Sequence, residues 1–180
     1  MISICNDFIK ANDADNLLLL IKQAQPKNLE HDKFSHRYAI PSKILDPNIN
    51  PEIFQIVNPY IPLIHKEINT RFSISVHEEP DYSITVYCEG ESLKSHFDAM
   101  TDDYHKNRTG NGHASRDMSS ILYLNDDYSG GVLKFPFLNL SIKPTAGSLI
   151  IFPSSERYTH LVEEVTKGFR YIVPQLWCIK

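Results

Sequence analysis

The spacing of apolar residues changes character once along this chain, near residue 80. Before that point it follows a helical period, and after it the pattern reads in twos. Leu17, Leu18, Leu20, Ile21 and Ala24 fit one helical face, with Asn12 or Asp13 as a cap and Pro26 as a stop, which predicts a helix ending at about residue 25. Asn50-Pro51, a cap followed by proline at the first helical position, opens a second stretch through Ile53, Phe54, Ile56 and Val57. Pro59 and Pro62 interrupt it, so a break and a further helix over 63–72 are expected. Residues 38–40 read as an early strand.

From Tyr82 onward, strands are predicted over 82–88, 93–98, 116–125, 132–135, 138–142, 148–152, 160–165 and 169–177. Gly90, Gly130-Gly131, Pro144, Gly147, Pro153 and Gly168 punctuate them. About eight short antiparallel strands, preceded by helices, predict a mainly β fold with N-terminal helices and a double-stranded β-helix, or jelly-roll, core. The expected organisation is a single domain over 1–180, with 1–80 as helical support and 81–180 as the core. Residues 99–115 break the strand rhythm, being polar and holding Gly110 and Gly112. A loop of that length is functional or disordered.

Composition narrows the classes. The 180 residues are 42% hydrophobic and 22% charged, an ordinary globular balance that excludes a disordered or collagen-like chain. Eighteen basic against 22 acidic residues give a net charge of −4, which argues against nucleic acid as the main partner. No apolar run approaches the roughly 18–20 residues of a membrane span, and the opening segment reads as neither signal peptide nor anchor. Cys5, Cys88 and Cys178 form no CxxC pair, so buried or incidental thiols in a reducing cytoplasm are expected.

The chemistry begins at His96-Phe97-Asp98. On a strand, residues i and i+2 share a face, so an imidazole and a carboxylate stand side by side. A third ligand must come from another strand, and among eight histidines His160, which opens a predicted strand, is the best placed. Two imidazoles and one carboxylate with open positions make a non-haem Fe(II) oxygenase site, while zinc with three protein ligands and a water is the competing reading. A surface histidine beside a solvated aspartate satisfies HxD equally well. Ten residues past His160 comes Arg170, in the apolar company of Phe169, Tyr171, Ile172 and Val173. There a charge is costly unless paired, and its planar fork matches a carboxylate. The alternative is an outward arginine paired with Glu163 or Glu164.

Taken together, these elements resemble the prolyl 4-hydroxylase-type 2-oxoglutarate- and Fe(II)-dependent dioxygenases over residues 82–177. The resemblance is carried by the run from Val86 to Glu91 ahead of His96-Phe97-Asp98, by Arg116, Ser119 and Ile121-Leu122-Tyr123-Leu124-Asn125, and by Gly130-Gly131 with Leu133 and Phe135. Ile142-Lys143-Pro144, Gly147, Leu149 to Phe152, His160-Leu161-Val162, Val165, Gly168, Arg170 and Trp177 complete it. Val132-Leu133 stand where the family often has Glu-Thr, and arginine stands at 170 where the collagen-type enzymes use lysine. No separate peptide-binding domain is expected within these 180 residues.

The resemblance implies Fe(II) on His96, Asp98 and His160, with 2-oxoglutarate and O2 as co-substrates and ascorbate as a reductant. It places the distal carboxylate of 2-oxoglutarate on Arg170 and makes Tyr87 a contact of the same molecule. Tyr123 and Lys143 are further pocket candidates, with ordinary strand packing or a solvated surface as the alternative. Phe152, Leu149 and Trp177 read as core. Arg116, and Tyr104 in the 99–115 loop, are candidates for binding the primary substrate. That loop is expected to be a lid rather than a passive insertion, with His105 or His113 as the alternative source of metal support. The expected function is hydroxylation of a C–H bond, prolyl 4-hydroxylase-like, on a peptide or protein prolyl residue. A free amino acid or other small-molecule substrate, and a non-catalytic metal-binding module, are the alternatives. A cytoplasmic enzyme with no nucleic-acid or membrane partner is expected.

Overall fold

Short strands build the core, buried at successive positions over Ile84–Tyr87 and at alternate ones over Leu133–Phe135 and His160–Val162. The computed structural model describes residues 1–24, 43–45, 51–78, 80–99 and 116–180. Its strands are β1 (Ser3–Cys5), β2 (Lys43–Leu45), β3 (Asp81–Tyr82), β4 (Ile84–Tyr87), β5 (Leu93–His96), β6 (Met118–Tyr123), β7 (Ser129–Gly130), β8 (Leu133–Phe135), β9 (Leu140–Ile142), β10 (Leu149–Pro153), β11 (His160–Val162), β12 (Val165–Lys167) and β13 (Arg170–Trp177). The helices are α1 (Ala11–Ala24), α2 (Pro51–Val57) and α3 (Ile61–Phe72).

A seven-stranded sheet runs β1-β10-β6-β13-β4-β2, with β3 also on β13, and a four-stranded sheet runs β5-β11-β8-β9. β7 and β12 form a separate pair, and every pairing is antiparallel.

The larger sheet is buried on both faces. Leu122, Leu149, Ile151, Val173 and Trp177 pack with Ile21, Ile64 and Ile68 of the helices. Their strand neighbours Ile121, Tyr123, Ile150, Phe152 and Ile172 pack instead with Leu133, Phe135, Ile142 and Val162 of the four-stranded sheet. Two-sided burial explains why these strands read as nearly continuous apolar runs.

Several expectations shift. α1 begins at Ala11 rather than behind an Asn12 or Asp13 cap, and buries Ala14, Leu17, Leu18 and Ile21 while Leu20 is exposed. The buried set is the i, i+3, i+4, i+7 stripe, which Leu20 does not share. Pro59 lies in a 3-10 turn (Asn58–Tyr60), and Pro62 sits in the first turn of α3, where a missing N–H costs nothing. The predicted strand over 160–165 is two strands in different sheets, parted at Glu163-Glu164. Gly130 permits the close approach of the chain at that parting: a Cβ there would stand 2.1 Å from the Glu164 carbonyl oxygen. The strand expected at 38–40 lies outside the described residues.

The first 80 residues are more than helical support. β1 and β2 form the two edges of the seven-stranded sheet. No helix among the described residues is long and apolar enough to cross a membrane.

Candidate metal and co-substrate site

Strand pairing, not chain proximity, assembles the site. β11 lies antiparallel to β5 with His160 directly opposite His96, and their ring centroids are 4.4 Å apart. Asp98, two residues past His96, places Oδ1 3.3 Å from His96 Nε2 and Oδ2 3.8 Å from His160 Nε2. One ligand atom from each of the three lies within 4.8 Å of the others. Both imidazoles are oriented from behind: Nδ1 of His96 meets the Lys94 carbonyl at 2.9 Å and Nδ1 of His160 meets the Tyr158 carbonyl at 3.0 Å. A carbonyl can only accept, so each Nδ1 carries the proton and each Nε2 lone pair is left for a metal.

The aromatic core reaches the site at His160, whose ring packs on Phe152 at 5.0 Å and Phe135 at 5.5 Å. Phe152 therefore serves both core and site, whereas Leu149 and Trp177 belong to the helix-facing core. Burial lowers the His160 imidazolium pKa. His96 goes the other way, because hydrogen bonding and charge from Asp98 outweigh its own burial. Burial acts to raise the Asp98 carboxyl, but contact with the two imidazoles and Ser119 outweighs it and holds the group at about 2. Asp98 is thus an anion at any working pH.

Arg170 is the second centre. It opens β13 opposite Tyr87 of β4 and is fully buried. Its guanidinium carbon lies 4.7 Å from the Tyr87 ring centroid and 5.0 Å from that of Tyr123, and Nη2 donates to the Tyr123 hydroxyl at 2.8 Å. Nε and Nη1 are buried without a hydrogen-bond partner, and no carboxylate among the described residues pairs with this cation. Glu163, the surface partner weighed from sequence, pairs with Lys134 instead. A buried guanidinium with two unused N–H directions fits an anion that arrives as a ligand.

Lys143 sits against Tyr128. Its ammonium donates to the Tyr128 carbonyl at 2.8 Å and lies 5.0 Å from the Tyr128 ring centroid. Tyr128, which the sequence did not single out, has a buried hydroxyl without a hydrogen-bond partner. Burial pushes the phenols of Tyr87 and Tyr128 up to about 12. Arg116 is half-buried just ahead of β6. Tyr104, His105 and His113, with all of 100–115, lie outside the described residues.

Two further residues bear on the site: Ser119, noted in the sequence only as part of the resemblance, and Ser154, not noted at all. Ser119 Oγ donates to Asp98 Oδ2 at 2.7 Å and lies 2.7 Å from Ser154 Oγ. The available signal was position: Ser119 shares the inner face of β6 with Ile121 and Tyr123, where a hydroxyl needs a partner.

Residues 82–178 match the family described as the 2OG-Fe(II) oxygenase superfamily. The chain belongs to that superfamily. Fe(II), 2-oxoglutarate and O2 are the cofactor and co-substrates that membership implies, and the N2O donor set and the unused Arg170 donors suit an iron and a dicarboxylate. Human prolyl 3-hydroxylase 2 is 43% identical to this oxygenase over 67 residues, which is 34% of this chain and 9% of that protein. A Xenopus tropicalis 2-oxoglutarate and iron-dependent oxygenase domain-containing protein 3 is 30% identical over 148 residues, covering 78% of this chain and 46% of its own. The oxygenase thus spans less than half the length of these two relatives. Among solved structures, a Pseudomonas putida prolyl-4-hydroxylase superposes with a TM-score of 0.70 at 21% identity, covering 99% of this chain and 92% of the other. A Trichoplax adhaerens prolyl hydroxylase, in complex with a hypoxia inducible factor oxygen degradation domain peptide fragment, gives 0.67 at 17%, covering 98% and 83%. At these identities the likeness is one of fold.

Proposed function

We propose that this chain is a 2-oxoglutarate-dependent Fe(II) dioxygenase that hydroxylates a C–H bond of a prolyl residue in a peptide or protein. The observation that carries the reading is Arg170, a fully buried cation with two unpartnered donors in the same inter-sheet core as the His96, Asp98 and His160 set. A module that only bound metal would have no use for it. The prolyl assignment is supported by the relatives and fold neighbours, which are named prolyl hydroxylases.

In this reading the 180 residues form one domain around a double-stranded β-helix. Nε2 of His96, Nε2 of His160 and the Asp98 carboxylate hold the iron, which when bound supplies the oxygen activation. Arg170 grips the distal carboxylate of 2-oxoglutarate through Nε and Nη1, while Tyr123 steadies Nη2 and the Tyr87 ring covers the guanidinium face. Phe135 and Phe152 keep water from the back of His160. Arg116, and Tyr104 in the 99–115 segment, are assigned to the primary substrate, with ascorbate as the reductant.

The test is 2-oxoglutarate decarboxylation by the Fe(II)-loaded protein across a panel of proline-containing peptides and free amino acids. The expected result is peptide-stimulated turnover with one oxygen atom gained on proline. Stimulation by free amino acids alone would move the substrate to small molecules. Metal binding without any 2-oxoglutarate consumption would make the chain a binding module.

A further inference from the structure

Asp98 lies two residues past the end of β5, beyond the ladder, yet its carboxylate is held firmly at one oxygen. Ser119 has a single hydroxyl proton, and it is directed to Asp98 Oδ2. In its 2.7 Å contact with Ser154, Ser119 is therefore the acceptor and Ser154 the donor. The chain Ser154, Ser119, Asp98 has one direction. Both serines are 1% exposed, so water does not compete for these bonds.

The backbone around the relay is fixed as well. The Ala99 N–H donates to the Ser154 carbonyl at 2.9 Å, and the Ser154 N–H donates to the Asp117 carbonyl at 2.9 Å. Ser119 itself faces Phe152 in the β6–β10 register. The relay thus ties the segment carrying Asp98 to β6 and to the residue that follows β10, both strands of the larger sheet, while both histidines belong to the smaller one. The other oxygen, Oδ1, faces His96 Nε2 at 3.3 Å.

We infer that Ser119, braced by Ser154, is a positioning residue that reserves Asp98 Oδ2 for the protein and presents Oδ1 to the metal. The carboxylate then ligates through one oxygen and leaves room for a co-substrate. The role rests on the reading of His96, Asp98 and His160 as the metal set. Ser120 supplies a control. It is equally buried on the opposite face of β6, donating to Gln175 and accepting from Trp177 Nε1, so its loss disturbs packing without touching Asp98.

The experiment titrates the metal-free full chain with Co(II), following affinity and the visible circular dichroism of the bound ion, alongside thermal unfolding without metal. Ser119→Ala should weaken Co(II) about 10- to 100-fold, the range usual for outer-shell partners of metal ligands, and alter the spectrum. Ser119→Thr, which keeps a hydroxyl, should restore both. Ser154→Ala should fall between, because Ser119 still reaches Asp98 but loses its own donor. Ser120→Ala should match wild type in affinity and spectrum even where its melting temperature drops as far. If Asp98→Ala weakens Co(II) while both Ser119→Ala and Ser154→Ala bind as wild type does, the positioning role is overturned and the metal set stands. If Asp98→Ala itself binds as wild type does, the metal set is wrong and the role goes with it. Should Ser119→Ala fail to fold, Ser154→Ala and Ser119→Thr decide the matter alone.

Discussion

Gly131 lies against the stem of Arg170 so closely that a Cβ there would come within 3.1 Å of Arg170 Cδ and 2.9 Å of Tyr128 Cε2. Its φ of +62° adds a backbone demand that L side chains meet poorly. Gly131→Ala should therefore cost about 1–2 kcal/mol of stability from the backbone alone. It should also raise the KM for 2-oxoglutarate severalfold while leaving metal affinity near wild type. Gly130→Ala, which meets a carbonyl rather than side chains, should be the more destabilising of the two in urea unfolding.

Replacing Arg170 separates stability from binding. Arg170→Leu removes a buried cation whose Nε and Nη1 have no partner in the free protein, so the ligand-free melting temperature should fall little or rise. Loss of 2-oxoglutarate binding should be about 2–5 kcal/mol, because the incoming carboxylate would be left uncompensated. Arg170→Lys should retain part of the affinity as a point charge without the fork. Calorimetric titration with 2-oxoglutarate checks both, and an unchanged affinity in Arg170→Leu would remove Arg170 from the co-substrate site.

Each protein ligand of the metal should be required. His96→Ala, Asp98→Ala and His160→Ala should each lose most Fe(II) affinity, measured by competition with a chelating dye. Full occupancy in His160→Ala would point to another histidine.

The buried phenols give a pH dependence at the alkaline end. Tyr87 and Tyr128 titrate near 12 when folded, against an ordinary value of 10. A group raised on folding stabilises below its unfolded pKa, and that contribution is lost as pH rises through the folded value. The contribution of these two phenols to the unfolding free energy should therefore be constant up to about pH 10 and fall between about 10 and 12, by roughly 2–3 kcal/mol for each. Tyr128→Phe should make that limb shallower by one phenol's share, with Tyr87 and Tyr82 still titrating, as followed by chemical denaturation along a pH series; a limb as steep as wild type would contradict it.

Much of the site could be read along the chain because strand chemistry repeats in fixed steps. HxD marks His96 and Asp98 as a pair, although β5 ends at His96 and Asp98 lies beyond it, and an arginine inside an apolar run points to a buried charge, which Arg170 is. The partner of Lys143 was not legible, because an ammonium near a predicted pocket says nothing about which atom it reaches, here the Tyr128 carbonyl. The role of Ser119, and Ser154 altogether, went unread because a serine carries almost no pattern, and their contact spans 35 residues. β1 and β2, three residues each, are too short to show alternation, and β1 is found only through its pairing with β10.

Those two short strands decide what can be cut from this molecule. A fragment of residues 81–180 would carry every residue assigned to iron and 2-oxoglutarate, yet β10 and β4 would each end in a row of unsatisfied backbone donors and acceptors. The apolar face of the larger sheet, stripped of Ile21, Ile64 and Ile68, would be laid open beside them. Such a fragment would pair with copies of itself sooner than bind a substrate, so a minimal catalytic core begins near residue 1.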